Sequence, residues 1–260
     1  MSQPPLTQLG DELYQALQSR SAIAPLTSRG FDLSLDDAYR IQQRFLERRL
    51  AAGDQVIGKK IGLTSAAVMT MLGVNQPDFG QLLASMLYHD GAQVDTARLI
   101  APRAEGEIAF VLKRELCGPG LTAADVLAAT EGVMACFEIV DSRIAHWQIK
   151  IQDTVADNAS CGVFVLGDTL VDPRRLDLST VGMALEKNGE LVATGAGAAS
   201  LGHPLNAMVW LANTLGRLGI PLKAGEVILS GSLAALIPVQ AGDVLRMSLG
   251  GIGRCGVRFG

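Results

Sequence analysis

The chain contains 260 residues with a formal net charge of −4 and no run of Lys or Arg, so nucleic acids and anionic membranes are not expected partners. Its length suits one large domain, or a small helical segment followed by one larger domain, and no apolar run approaches the length of a membrane span. Only 18% of the residues are charged while 48% are hydrophobic, which favours a homo-oligomer that buries part of its surface.

Residues 1–53 are predicted to form an N-terminal helical segment, followed by a β-rich domain over residues 54–260. Apolar residues recur at the spacing of one helix face between residues 6 and 17, which predicts the first helix. Ser34 is a suitable N-cap for a second helix, and Gly53 is expected to end it.

A strand is predicted over residues 56–63, and Lys60 within it has open surroundings. Gly58 and Gly62 flank this lysine on the same face of the strand. The missing side chains leave space in which a substrate could approach, or in which another backbone could pack closely. An ordinary surface lysine is the alternative interpretation.

A short helix is expected over residues 65–72, with Thr64 as its cap, and a turn follows over residues 75–80. Asp78 lies in this turn. By itself it would be interpreted as a turn or capping residue.

The next predicted strand, over residues 103–112, carries two glutamates immediately before an apolar run. Side chains alternate along a strand, so Glu105 and Glu107 lie on one face, about 7 Å apart. Glu138 is a third acid, and it is the only charge in the apolar segment 134–140. A charge in such a segment is costly unless it is paired or binds a metal.

These three carboxylates predict a site for a divalent cation. Each glutamate alone could instead face water at a sheet edge or pair with Arg103 or Arg143, which are close in sequence. Together, three carboxylates without His or Cys at ligand spacing suit a hard ion, Mg²⁺ or Mn²⁺, better than Zn²⁺.

The rest of the chain predicts many short strands separated by glycine. Residues 153–162 are predicted to be a loop that could bring Asp157, Asn158 and Ser160 to a site, or simply a capped turn. Asn188-Gly189 predicts a β-hairpin, and an apolar helix is expected over residues 205–218. The expected fold is α+β, with a β-rich, folded-over mixed sheet or barrel-like core.

The cysteines are scattered and form no C-x-x-C motif. With no signal peptide recognisable, this predicts reduced thiols in a cytoplasmic protein. Cys136 and Cys161 lie in apolar surroundings and are predicted to be core residues rather than nucleophiles.

With these residues located, the chain resembles the 2-hydroxypenta-2,4-dienoate hydratases (2-keto-4-pentenoate hydratases) of the fumarylacetoacetate hydrolase-like superfamily. The resemblance covers nearly the whole chain, and the segments that carry it are residues 58–64, 76–80, 102–109, 153–162 and 201–206. Each segment alone is weak, but together they are specific. One departure is that glycine occupies position 106, where the family leads us to expect a bulkier residue.

The resemblance implies a metal-dependent hydro-lyase of the meta-cleavage route of aromatic degradation, with its catalytic site in residues 54–260. It implies Mg²⁺ or Mn²⁺ held by Glu105, Glu107 and Glu138. It also implies rings or larger closed homo-oligomers, which could associate with a neighbouring pathway enzyme. The other functional positions that it implies are Lys60, Asp78 and Ser160 as catalytic residues, and Leu63, Asp157 and Ser160 as substrate contacts.

The implied reaction is ketonisation of the dienol followed by conjugate addition of water at C4, which gives 4-hydroxy-2-oxopentanoate. Lys60 would stabilise the enolate or donate a proton, Asp78 would relay or take a proton, and Ser160 would bind the substrate carboxylate. A lysine beside a cation and partly desolvated is expected to have a lowered pKa.

Three alternatives remain open. A 4-oxalocrotonate decarboxylase of the same superfamily shares almost every motif, although that family is expected to have an apolar residue where this chain has Asp78. A hydratase of a longer dioate would need an additional cation, which the sequence does not reveal. The chain could also be a non-catalytic subunit with a structural metal, although such a subunit would not need Lys60 or Asp78.

Overall fold

The computed structural model describes residues 4–66, 69–70 and 73–260. None of the helices in these ranges combines the length and the apolar character needed to cross a bilayer. The α-helices described are Leu6–Ser19 (α1), Leu35–Ala51 (α2), Ala123–Ala129 (α3), Ile151–Ala156 (α4) and Pro204–Gly216 (α5). The strands are Val56–Gly62 (β1), Asp78–Leu83 (β2), Leu87–His89 (β3), Gln93–Val94 (β4), Arg103–Leu112 (β5), Thr130–Val140 (β6), Cys161–Leu166 (β7), Gly182–Lys187 (β8), Glu190–Ala196 (β9), Val227–Leu229 (β10), Ile237–Pro238 (β11), Val244–Leu249 (β12) and Gly253–Phe259 (β13).

The strands form two sheets of mixed character, which confirms the predicted α+β, β-rich fold. The larger sheet has the order β2-β1-β10-β5-β6-β7-β3, and β11 also pairs with β5. The smaller sheet has the order β4-β13-β12-β8-β9. Strand β1 runs parallel to β10, whereas β5 is antiparallel to both β10 and β6.

The N-terminal helices cover one face of the larger sheet. Ser34 caps α2 as predicted, since its hydroxyl accepts a hydrogen bond from the Asp37 amide at 3.1 Å. Ile41 and Phe45 of α2 are fully buried, and they share a hydrophobic core with Phe164 of β7. The face of the sheet beneath the helices is therefore shielded from water.

A second hydrophobic core lies between the two sheets. Phe110 and Phe137 of the larger sheet belong to the same buried cluster as Met247 of the smaller sheet. The glycine at position 106 also faces this layer. A Cβ there would come within 2.5 Å of the Met183 and Met247 sulfurs, so the departure from the family pattern leaves space for two methionines.

Two local predictions need comment. The helix expected over residues 65–72 lies partly outside the described residues. The loop predicted over residues 153–162 is wrong in its first part, because α4 extends to Ala156. Asp153 stabilises the start of α4 by accepting a hydrogen bond from the Lys150 amide at 2.9 Å, and its other contacts are to Thr27.

Candidate active site

The antiparallel register of β5 and β6 brings the three predicted glutamates together. Glu105 lies directly opposite Glu138, and Glu107 lies opposite Cys136, one step along the same face. Ligand oxygens of the three carboxylates lie within 4.8 Å of one another. Three side chains from two neighbouring strands thus converge on one small volume.

This convergence is electrostatically unfavourable without a counter-charge. Glu107 and Glu138 are fully buried, and Glu105 is partly buried. Burial, together with the negative charge of Glu138, raises the pKa of Glu105 to about 8 and the pKa of Glu107 well above its ordinary value. The site must therefore hold protons or bind cations.

The residues present fit a divalent metal ion. Among the described protein groups, Glu107 Oε1 and both carboxylate oxygens of Glu138 are buried and accept no hydrogen bond, although the Lys60 ammonium lies 3.2 Å from Glu138 Oε1. Buried carboxylate oxygens without donors are costly, and a cation between them removes that cost. Oxygen ligands alone suit a hard ion such as Mg²⁺ or Mn²⁺.

Lys60 supplies a positive charge beside this cluster. It is only 3% exposed, so the surface interpretation is wrong. Its Nζ lies 3.2 Å from Glu138 Oε1 and donates a hydrogen bond to the Ala159 carbonyl oxygen at 2.9 Å. Burial lowers the pKa of Lys60, but the charges of Glu138, Asp78 and Glu105 outweigh it and raise that pKa above its ordinary value. This direction holds beside charged carboxylates, and the lowering expected beside a bound cation stays a prediction.

Asp78 begins β2 and lies opposite Gly62 of β1. A Cβ at position 62 would lie 2.1 Å from Asp78 Oδ1 and 3.3 Å from Lys60 Nζ, so the glycine provides space for both side chains. Asp78 is 2% exposed, and its Oδ1 has no hydrogen-bond partner among the described residues. Burial raises the pKa of Asp78 although the charge of Lys60 opposes the shift. An acid in this environment is suited to proton transfer.

The three remaining predicted residues lie around this centre in different ways. The Ser160 hydroxyl is buried 3.1 Å from Thr154 Oγ1, one residue from the carbonyl that binds Lys60. Leu63 directly follows β1 with a left-handed backbone, at φ 55°. The Asp157 carboxylate is instead bound by Arg143 and Ser142, which donate hydrogen bonds to its two oxygens.

The sequence did not indicate two backbone groups of the site, nor one aromatic side chain. The Ala159 carbonyl binds Lys60, and the Gly231 amide donates to Glu107 Oε2 at 2.7 Å. Every residue carries such groups, so residue type gives no signal for them.

Tyr39 of α2 stacks on Phe79 with ring centroids 4.5 Å apart. Burial and the charge of neighbouring Asp78 raise the pKa of Tyr39. No sequence pattern singled out Tyr39 either.

A small cavity of about 160 Å³ adjoins Asp78. Most of its lining is apolar or uncharged, and the lining residues are Leu35, Gly73, Val74, Asn75, Gln76, Pro77, Asp78 and Ile151. A short hydrocarbon chain fits such a lining better than a second charged group does.

The chain matches a known protein family and is similar to named hydratases. The family model described as fumarylacetoacetate (FAA) hydrolase C-terminal matches residues 60–259. The chain is 66% identical over 216 residues to a 2-hydroxypent-2,4-dienoate hydratase of Pseudomonas putida, covering 83% of this chain and 97% of the relative. It is 58% identical to a 2-hydroxyhexa-2,4-dienoate hydratase of Comamonas testosteroni, covering 96% of each chain.

A solved structure is similar over the whole chain. It is a 4-oxalocrotonate decarboxylase from Pseudomonas putida G7, complexed with magnesium and adipate. The two share 37% sequence identity and superpose with a TM-score of 0.95, covering 100% of this chain and 98% of the other.

Proposed function

The chain belongs to the fumarylacetoacetate hydrolase family, and from this premise we propose that it is a metal-dependent hydro-lyase that converts 2-hydroxypenta-2,4-dienoate into 4-hydroxy-2-oxopentanoate. The observation that carries the proposal is the convergence of three glutamates with Lys60 and Asp78 in one buried site. The names of the two similar hydratases support a short dienoate as the substrate. Such a reaction belongs in the breakdown of aromatic compounds.

Glu105, Glu107 and Glu138 are the ligands of a Mg²⁺ or Mn²⁺ ion in this proposal. When bound, such an ion stabilises negative charge on the oxygens of a 2-oxo acid. The magnesium in the similar decarboxylase structure supports a divalent ion of this kind.

The remaining residues move protons and hold charge. Asp78, whose raised pKa keeps it protonated closer to neutrality, gives a proton to C5 of the dienol. As a carboxylate it then takes a proton from the water that adds at C4. The 2-hydroxyl proton is released to solvent when C5 is protonated, and C3 takes one proton from solvent after water adds at C4, so the protons balance. The Lys60 ammonium stabilises the enolate oxygen that forms in both steps, and the Ser160 hydroxyl binds the substrate carboxylate.

The cavity beside Asp78 supports a substrate with a short, uncharged tail. Its described lining contains no basic residue that could bind a distal carboxylate. A hydratase of a longer dioate would need such a group, so the monocarboxylate is the better fit.

A 4-oxalocrotonate decarboxylase is the second candidate, because the solved structure with a TM-score of 0.95 has that activity in its name. Loss of CO₂ from a β,γ-unsaturated 2-oxo acid needs enolate stabilisation but no group that activates water. Asp78, buried with one unpartnered oxygen, therefore favours hydration over decarboxylation.

Self-association is also part of the proposal. Leu191 and Val192 are 62% and 45% exposed on β9, the outermost strand of the smaller sheet. An apolar edge strand is suited to contact with another copy. Sedimentation velocity of the purified protein would test this, and a monomer at micromolar concentration would contradict it.

The activity itself is tested by proton NMR of the product. The protein is mixed with freshly generated 2-hydroxypenta-2,4-dienoate in Mg²⁺ buffer, with a chelator-treated sample as control. We expect 4-hydroxy-2-oxopentanoate to form only with the metal. If the dienoate only ketonises and 2-oxohex-3-enedioate instead loses CO₂, the decarboxylase is the correct function.

A further inference from the structure

Three consecutive residues beside the candidate site have left-handed backbones. Asn158, Ala159 and Ser160 have φ values of 54°, 50° and 54°. Residues with a Cβ rarely adopt this conformation, and a run of three persists only where its surroundings hold it. We refer to residues 158–160 as the left-handed turn.

A buried ion pair holds the base of the left-handed turn. Arg143 and Asp157 are 1% and 0% exposed in their side chains, and Arg143 Nε donates to Asp157 Oδ1. The same guanidinium donates to the Asp157 carbonyl oxygen and, at 2.9 Å, to the Cys161 carbonyl oxygen. Arg143 therefore binds the backbone on both sides of the turn.

Asn158 fastens the turn to the edge of the larger sheet. Its Oδ1 accepts from the Gln81 amide at 2.8 Å, and its Nδ2 donates to the Gln81 carbonyl oxygen at 2.9 Å. These two bonds replace those that a neighbouring strand would make with β2, which is the outermost strand. Gly80 allows the close approach, since a Cβ there would lie 2.5 Å from the Asn158 carbonyl oxygen.

The turn directs one carbonyl group at Lys60. The Ala159 oxygen accepts from Lys60 Nζ at 2.9 Å, while Glu138 Oε1 lies 3.2 Å from the same nitrogen. A neutral acceptor on one side and a carboxylate on the other fix the direction of the ammonium group. A turn with ordinary backbone angles would direct the Ala159 carbonyl elsewhere.

We propose that the left-handed turn is a positioning device for Lys60, and that Asn158 acts as a positioning residue through the Ala159 carbonyl. The proposal rests on the proposed function, in which Lys60 stabilises the enolate. Because that charge is largest in the transition state, misplacement of Lys60 lowers kcat more than it changes KM.

Asn188 offers a matched control. It also has a left-handed backbone, at φ 55°, and both ends of its side-chain amide are bonded, to Asp243 at 2.9 Å and to the Val244 amide at 2.8 Å. It lies in the β8–β9 hairpin of the smaller sheet. Asn158→Ala and Asn188→Ala therefore remove similar interactions, of which only one set supports the turn.

The test combines kinetics with crystal structures of both variants. We expect Asn158→Ala to lose at least about 10-fold in kcat with KM changed by less than about twofold, and Asn188→Ala to keep both constants. In the structures, the contact between Lys60 Nζ and the Ala159 oxygen should be lost only in Asn158→Ala. If Asn158→Ala is poorly folded, Gly80→Ala is the second variant, because its added Cβ would press against the Asn158 carbonyl oxygen. Its control is Gly182→Ala, where a Cβ meets nothing within 4 Å.

Unchanged kcat in Asn158→Ala, or an intact Lys60–Ala159 contact in its structure, would overturn the inference. An equal loss of kcat in Asn188→Ala would do the same, since it would show a general effect of destabilisation. A wild-type protein that does not hydrate the dienoate contradicts the proposed function instead. The crystal structures then still decide whether the turn positions Lys60.

Discussion

Lys60 is a buried cation beside the cluster of buried carboxylates. Its ammonium group lies 3.2 Å from Glu138, and Asp78 and Glu105 also act on its charge. Adjacent Lys59 pairs instead with Glu226, at 2.8 and 2.7 Å. The two neighbouring lysines thus bind different buried acids, which makes one a control for the other.

We predict that Lys60→Met lowers kcat by about 10² to 10³, because a charge aimed at a developing enolate is removed from a site that excludes water. The measurement is the rate of dienoate hydration per folded molecule, with folding followed by circular dichroism. Lys59→Met is the control: it loses stability, since Glu226 is left buried and unpaired, but it keeps its rate. Full turnover by Lys60→Met would remove Lys60 from the mechanism.

At the scale of residues, the cluster of three carboxylates could be predicted, whereas most of its neighbours could not. Strand alternation and a lone charge in an apolar run were sufficient to select Glu105, Glu107 and Glu138. Asp157 was expected to contact substrate. In the structure it pairs with Arg143, and a contact with substrate stays a prediction. The chemistry of an aspartate does not reveal whether its partner is a substrate or a buried guanidinium.

Helix α2 is joined to the larger sheet by a polar contact at its end. Asp54 accepts hydrogen bonds from Arg49 at 2.9 Å and from the Ser85 hydroxyl at 2.6 Å. Burial raises the pKa of Asp54, but these bonds, with those from the Ser85 and Gln55 amides, outweigh it and lower that pKa below 3.8. A carboxyl with a lowered folded-state pKa stabilises the fold above its unfolded-state pKa, and this contribution is lost as the pH falls through the folded-state value.

We therefore predict that Asp54→Asn lowers the free energy of unfolding by about 1–2 kcal/mol at pH 7. The deficit in the free energy of unfolding should begin to narrow as the pH falls below about 4, where the unfolded chain takes up the proton, and should narrow further as the pH falls through the lower folded-state pKa. Urea denaturation between about pH 7 and about pH 2.5 measures this. Exposed Asp32→Asn should show no comparable deficit. A deficit for Asp54→Asn that is unchanged at the lowest pH would disprove the assignment.

Helix α4 contributes Ile151 to the cavity beside Asp78. We predict that Ile151→Ala raises the kcat/KM for 2-hydroxyhexa-2,4-dienoate by about 10-fold relative to the pentadienoate, because one added methyl group then fits without a clash. Competition between the two dienoates measures this ratio directly. Ile220→Ala, at a position 42% exposed, is the control and should leave the ratio unchanged. An unchanged ratio in Ile151→Ala would show that the substrate tail lies elsewhere.

Elements with local signals could be predicted, and those fixed by distant contacts could not. The Ser34 cap and the Asn188-Gly189 hairpin depend on neighbours in sequence, and both are present. Helix α4 was missed because Asp153 at its start is held by Thr27, which is 126 residues away. A helix of six residues is also too short to show a clear helical periodicity in the sequence.

At the scale of the whole molecule, the active site depends on pairings between distant segments. Lys60 of β1 lies beside Leu229 of β10, and β10 in turn pairs with the strand that carries Glu105. Patterns of short strands and glycines predicted a β-rich core, but no sequence pattern specifies this order of strands. The boundary at residues 53 and 54 and the oligomeric state stay predictions.

The most direct test of the whole account is a titration of Mg²⁺ into chelator-treated protein, with dienoate hydration and circular dichroism recorded together. We predict a folded but inactive protein that recovers activity with about one ion bound per chain, and a Glu138→Gln variant that stays folded and does not recover. Full activity of the chelated protein, or loss of the fold when the metal is removed, would contradict a catalytic ion held by the three glutamates.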